Sequence, residues 1–237
     1  MKRIIVVVLA ALLFGSCGKS VSTSDVLTDL VLSTHSIDGD GSSSVTVTVT
    51  LNNKASADRR NVVFTTTGGS FSGGANGKIT VPATYVGQKL VAAVTLNGPM
   101  SAGMLTITAA PETLSLNGDY QLKDSVKVNQ VDPATIKLES SSLGIASNFL
   151  NTDTIIGTLR SAGNKKVSLK AKVTFTATAN GNNVANGFRL MQNSSDGNSL
   201  VMVLFSAPQL NIGDQVLIRA TIDGNGYSDI IKLTVNQ

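Results

Sequence analysis

Side chains able to do chemistry are few and widely spaced in this chain. His35 is the only histidine. A zinc site of several histidines is therefore out of reach of one copy, and no set of nucleophile, base and orienting residue meets the demands of acyl transfer. His35 reads as a solvated residue at a strand end. Asp38-Gly39-Asp40-Gly41 invites comparison with a calcium loop, which would want an acceptor at 42, a glycine at 43 and a glutamate at 49. The chain has Ser42, Ser43 and Val49 there, and Asp223-Gly224-Asn225-Gly226 is no closer. Both stretches read as tight turns, with incidental calcium binding left open. Gly68 to Lys78 is not a phosphate loop: Ile79 follows Gly77-Lys78, and Ser72 stands where the first glycine belongs. It reads as a floppy connection. No catalytic residue, cofactor or metal site is expected.

Charged pairs and aromatics add little. Arg59-Arg60 and Lys165-Lys166 are candidates for weak contact with an anionic lipid or lipopolysaccharide surface. Tryptophan is absent and only 3 tyrosines occur, which counts against a sugar-stacking platform. Charged residues make up 14% of the chain, with a formal charge of +4. Without a clustered basic face this does not suggest nucleic-acid binding.

Cys17 is the only cysteine. It follows Met1-Lys2-Arg3, the apolar run Ile4 to Phe14, and the small residues Gly15-Ser16. That is the composition of a secretory signal peptide, with a run too short to span a bilayer. Leu13-Phe14-Gly15-Ser16-Cys17 resembles a bacterial lipoprotein processing site. The resemblance implies cleavage before Cys17 and acylation of it. Removal of Lys2 and Arg3 would then lower the formal charge from +4 to +2. Gly18, in place of Asp, implies by likeness to enterobacterial sorting an outer-membrane location; cell surface and periplasmic face stay open. Residues 1–16 are thus expected as signal peptide and 17–25 as a lipidated, flexible tether.

The elements around these residues are strands. Val45-Thr46-Val47-Thr48-Val49-Thr50-Leu51 alternates with the period of a half-buried strand. β-branched residues are plentiful, and no stretch keeps a helical period. A unit of roughly 110 residues occurs twice. Val62-Val63-Phe64-Thr65-Thr66-Thr67 matches Val173-Thr174-Phe175-Thr176-Ala177-Thr178. Gly87 with Leu90-Val91 matches Gly197 with Leu200-Val201. Leu105-Thr106-Ile107 matches Val216-Leu217-Ile218, and Val128-Asn129-Gln130 returns as Val235-Asn236-Gln237. A repeat this long is a whole domain. The expectation is an all-β chain with two tandem sandwiches, 26–130 and 131–237, meeting at Asp132-Pro133. Leu200 to Phe205, apolar throughout, reads as a central strand buried on both faces. Otherwise its outer face is sealed by a partner or by the first domain.

Asp40-Gly41-Ser42 before Val45-Thr46-Val47-Thr48-Val49, then Val62-Val63-Phe64-Thr65-Thr66 with a glycine behind it, resembles the bacterial immunoglobulin-like domains of invasin- and intimin-type surface proteins. The likeness covers most of residues 30–110. It implies immunoglobulin-like sandwiches used as a stalk or adhesive module, and carries over no catalytic residue. The expected role is a non-enzymatic, lipid-anchored envelope protein. It would act as spacer, adhesion or assembly module through another envelope or surface protein. The alternative is a surface lipoprotein that binds a glycan or metal ion in loops at one sandwich end. A pilin-like subunit that donates a strand is a further possibility.

Overall fold

The computed structural model describes residues 26–114, 120–184, 186–207 and 209–237. The signal peptide, the tether and Cys17 lie outside these residues. The regular structure among them is strands and short 3₁₀ turns. The first part holds β1 (Leu27–Leu32), β2 (Ser36–Asp38), β3 (Ser44–Leu51), β4 (Asn61–Thr66), β5 (Ser70–Phe71), β6 (Lys78–Pro82), β7 (Thr84–Val86), β8 (Lys89–Asn97), β9 (Gly103–Pro111) and β10 (Leu122–Asn129). The second holds β11 (Thr135–Ser140), β12 (Gly144–Ala146), β13 (Asp153–Arg160), β14 (Val173–Ala179), β15 (Asn182–Asn183), β16 (Phe188–Gln192), β17 (Leu200–Phe205), β18 (Gln215–Ile222) and β19 (Ser228–Asn236).

Each part folds as two facing sheets. The first pairs β1-β3-β8-β5, with β7 also on β8, against β2-β10-β9-β4-β6. The second repeats this as β11-β13-β17-β16 against β12-β19-β18-β14-β15. In both copies the opening strand lies antiparallel on one sheet. The chain then crosses over, and a three-residue strand runs parallel to the last strand of the other sheet.

Alternation explains the cores. Val45, Val47, Val49 and Leu51 of β3 point inward, while the threonines between them face out. The first core runs from Val26 to Val128 and the second from Ile136 to Val235, with no residue shared. Phe64 and Phe71 meet at 6.2 Å in the first. Phe188 sits edge-on to Phe205 at 5.3 Å in the second.

Gly68 to Lys78 departs from the floppy connection expected of it. Phe71 inserts into the core and β5 pairs with β8. Gly69 adopts φ +74, and a Cβ there would lie 2.4 Å from Asn97 O. The glycines allow a tight turn that delivers an aromatic anchor.

β17 also departs from expectation. It is central, but Val201, Val203 and Phe205 alone are fully buried; Leu200, Met202 and Leu204 are half-buried on the outer face. Leu90 points into the first core, whereas Leu200 points out of the second. The pairing of Leu90-Val91 with Leu200-Val201 is therefore off by one residue, and a one-residue slip exchanges the faces. Strand pairing gives the corrected match. Val91 lies opposite Thr50 as Leu200 lies opposite Thr158, and Ala93 opposite Thr48 as Met202 lies opposite Ile156.

Candidate functional site

The junction between the sandwiches is built from the turn that the sequence offers as a calcium loop. Asp40 is 1% exposed. Its carboxylate accepts hydrogen bonds from Ser42 N at 2.8 Å, Ser43 N at 2.6 Å and Ser43 Oγ at 2.9 Å. Burial opposes its ionisation, but the bonds from Ser43 and Ser42 outweigh it and hold the pKa below the ordinary 3.8. The oxygens are spent on the turn itself. Among the described residues no group of three or more His, Cys, Asp or Glu is placed to hold a metal ion.

That turn holds the second sandwich. Ser168 is wholly buried. Its Oγ donates to Gly39 O at 2.8 Å and accepts from Val131 N at 2.9 Å. Leu169 N donates to Met100 O at 2.9 Å. Lys165 Nζ lies 2.9 Å from Asp38 Oδ2 and 3.8 Å from Asp40 Oδ2. Hydrogen bonding to Asp38, then its charge, raises the pKa of Lys165 above 10.5. Ser195 Oγ donates to Ser168 O at 2.8 Å, bracing the loop from behind. Asn225 Nδ2 donates to Pro133 O at 2.9 Å, so the connecting residues are pinned too. Two clefts of about 370 Å³ flank the junction, both open to solvent. One is lined by Asp38, Gln130, Asp132 and Lys165 among others.

The two basic pairs therefore have different surroundings. Lys165 belongs to the junction. Arg59 and Arg60 sit at the opposite end of the first sandwich. There Arg60 Nε donates to Ala55 O at 3.2 Å, and its guanidinium lies 5.8 Å from the Tyr85 ring centre. Arg59 pairs with exposed Asp58 at 4.0 Å. His35 is exposed, with Nε2 3.1 Å from Asp124 Oδ2. Sequence reasoning missed Ser168 and Ser195, because a buried serine in a loop has no periodic signature.

A second feature is the outer face of the second sandwich. Leu200, Met202 and Leu204 form its middle row, with Ile156 opposite Met202 and Leu190 opposite Leu204. Ile156 and Leu190 are exposed. The matching row of the first sandwich is Val91, Ala93 and Thr95, with Thr48 opposite Ala93. Among the described residues β16 is also an edge strand of its sheet. Towards the far end Arg189 covers the Phe149 ring at 4.5 Å, and Leu150 is 91% exposed.

No family model and no curated protein matches this chain. Among solved structures, invasin, a bacterial integrin-binding protein, matches at 17% identity with a TM-score of 0.60, over 88% of this chain and 39% of that one. The fold is the tandem immunoglobulin-like sandwich of invasin. The Yersinia pseudotuberculosis adhesin InvE is also 17% identical, over 90% of this chain and 61% of its own, at a TM-score of 0.47. The chain thus spans less than two thirds of either protein. In the invasin-like fold, two sheets per domain leave outer faces and end loops as the surfaces for contact. Among the described residues no helix is long and apolar enough to cross a membrane.

Proposed function

We propose that this chain is a non-enzymatic, lipid-anchored protein of a bacterial envelope that works by protein–protein contact. In this reading Cys17 carries the lipid, the first sandwich is a spacer and the second presents the contact surface. Ile4 to Phe14 followed by Cys17 supports the anchor. The outer membrane is the favoured location, by likeness to enterobacterial sorting.

The observation that carries the contact role is the difference between two matched faces. At equivalent positions, Ala93, Thr95 and Thr48 of the first sandwich become Met202, Leu204 and Ile156 of the second. Nothing in either core requires that change, since these side chains point away from it. A middle row that is bulkier and more apolar on one module than on its repeat fits recognition by a partner. Its β16 edge would let main-chain pairing add to the contact.

Site-specific photo-crosslinking in intact cells tests this. A photoreactive residue at Ile156 should give a discrete protein adduct, and one at Thr48 should not. Equal labelling at both positions, or none at either, would overturn the contact role. Mass spectrometry of the N-terminal peptide tests the anchor separately: an unmodified Cys17 thiol removes it.

A further inference from the structure

The end of the first sandwich remote from the junction has its own chemistry. β3 runs away from the junction turn to Leu51, and β8 returns from Lys89. The loops between them form one connected surface. Asn52 N donates to Val26 O at 2.8 Å, Asn53 Nδ2 to Gln88 O at 2.8 Å, and Ala83 N to Arg60 O at 2.8 Å. Tyr85 is 55% and Val86 66% exposed at the tip of the β7–β8 hairpin. Around them stand Lys54, Arg59, Arg60 and Lys89. Among the described residues the carboxylates at this end are Asp58, paired with Arg59, Glu112, which accepts from Asn61 Nδ2 at 2.9 Å, and exposed Asp29, opposite Thr50 on β1. Among the described residues, Lys54, Arg59, Arg60 and Lys89 stand against Asp29, Asp58 and Glu112 around an exposed aromatic and an aliphatic side chain. A polar–aromatic mix of this kind suits the headgroup layer of a bilayer.

Two further observations identify the occupant. Val26 is at this end, so residues 17–25 enter here. Nine residues reach at most about 30 Å when fully extended. The repeat also shows how this loop is used: in the second sandwich it turns Lys165 onto Asp38 and Asp40 of the preceding module. In the first sandwich the matching loop, with Arg59 and Arg60, lies at the end where the described chain begins. We propose that the end formed by Lys54, Arg59, Arg60, Tyr85, Val86 and Lys89 lies against an anionic membrane surface and sets the orientation of both sandwiches. This inference rests on the lipid-anchor reading for proximity and on the surface chemistry for contact.

The absence of tryptophan provides the test. The lipidated protein carrying Val86→Trp is reconstituted into vesicles of brominated phosphatidylcholine, with or without phosphatidylglycerol. The indole should be quenched several-fold more in the anionic vesicles. Leu150→Trp, at the opposite end, should be unquenched in both. Lys54→Gln with Lys89→Gln, both exposed and outside the core, should weaken the Val86→Trp signal. No quenching, or equal quenching in both lipids, overturns the proposal. Mass spectrometry of Cys17 and vesicle flotation separate the two readings. A chain that floats with an unquenched indole keeps the anchor and sinks the contact. An unacylated chain still quenched only by anionic vesicles does the reverse.

Discussion

Ser168 Oγ and Gly39 O are joined by a 2.8 Å hydrogen bond that crosses from one sandwich to the other, and it is buried. A side chain at Gly39 would be crowded: a Cβ would lie 3.0 Å from both Ser168 Oγ and Asn129 O. Ser168→Ala removes the donor to Gly39 and the acceptor of Val131 N–H. Leaving such groups unpaired costs about 1–3 kcal/mol. Gly39→Ala pushes the same surfaces apart by contact. Both variants should keep two folded sandwiches and loosen the joint. Small-angle scattering and residual dipolar couplings should show wider interdomain motion with unchanged fold signals. A rigid joint in Ser168→Ala would mean that the bond is incidental.

The junction should respond to pH on both sides of neutrality. Asp40 has a lowered pKa, so its contribution is present above its ordinary 3.8 and is lost as pH falls through the lower folded value. Lys165 has a raised pKa, so its contribution is present below 10.5 and is lost as pH rises through the higher folded value. Interdomain order should be flat at neutral pH and fall only in acid below 3.8 and in alkali above 10.5. Lys165→Met should abolish the alkaline limb and leave the limb of Asp40. Because Lys165 is half exposed, its limb should be shallow and should shrink with added salt.

The absence of any shared core residue predicts separable unfolding. Phe205 is fully buried and packs against Phe188. Phe205→Ala should cost the second sandwich about 3–5 kcal/mol. Hydrogen exchange should then show β13, β17 and β18 losing protection while β3, β8 and β9 keep theirs. Phe64→Ala should do the converse. A single transition that shifts as a whole in both variants would show the two halves to be one cooperative unit.

The fold was legible because its signals are local and periodic. The Val45–Leu51 alternation is a strand whatever surrounds it, and the return of Val-Asn-Gln marks the last strand of each copy. The junction was not legible in the same way. Asp38-Gly39-Asp40-Gly41 reads as a turn and is one, but its hold on Ser168 and Lys165 spans well over a hundred residues and follows no period. The face of β17 was hidden for another reason. An apolar run of six has no alternation to report its orientation, so Leu200 was matched to Leu90 when it takes the place of Val91. Phe71 was hidden among glycines whose composition suggests slack.

The corrected register gives the sharpest test of the contact face, because the molecule carries its own control. Met202→Ala with Leu204→Thr installs on the second sandwich the residues that the first bears at the same positions. Both side chains are half-buried and outside the core, so the loss of stability should stay near 1 kcal/mol, below that of a core truncation. The reverse pair, Ala93→Met with Thr95→Leu, should be tolerated on the first. If the apolar row is the recognition surface, the first double variant should lose the Ile156 crosslink while its melting curve barely moves. The reverse pair should leave that crosslink intact. A large drop in stability in the first variant would instead mean that the row is packed as structure, and the Val91, Ala93 and Thr95 row of the first sandwich would then be the exception that needs explaining.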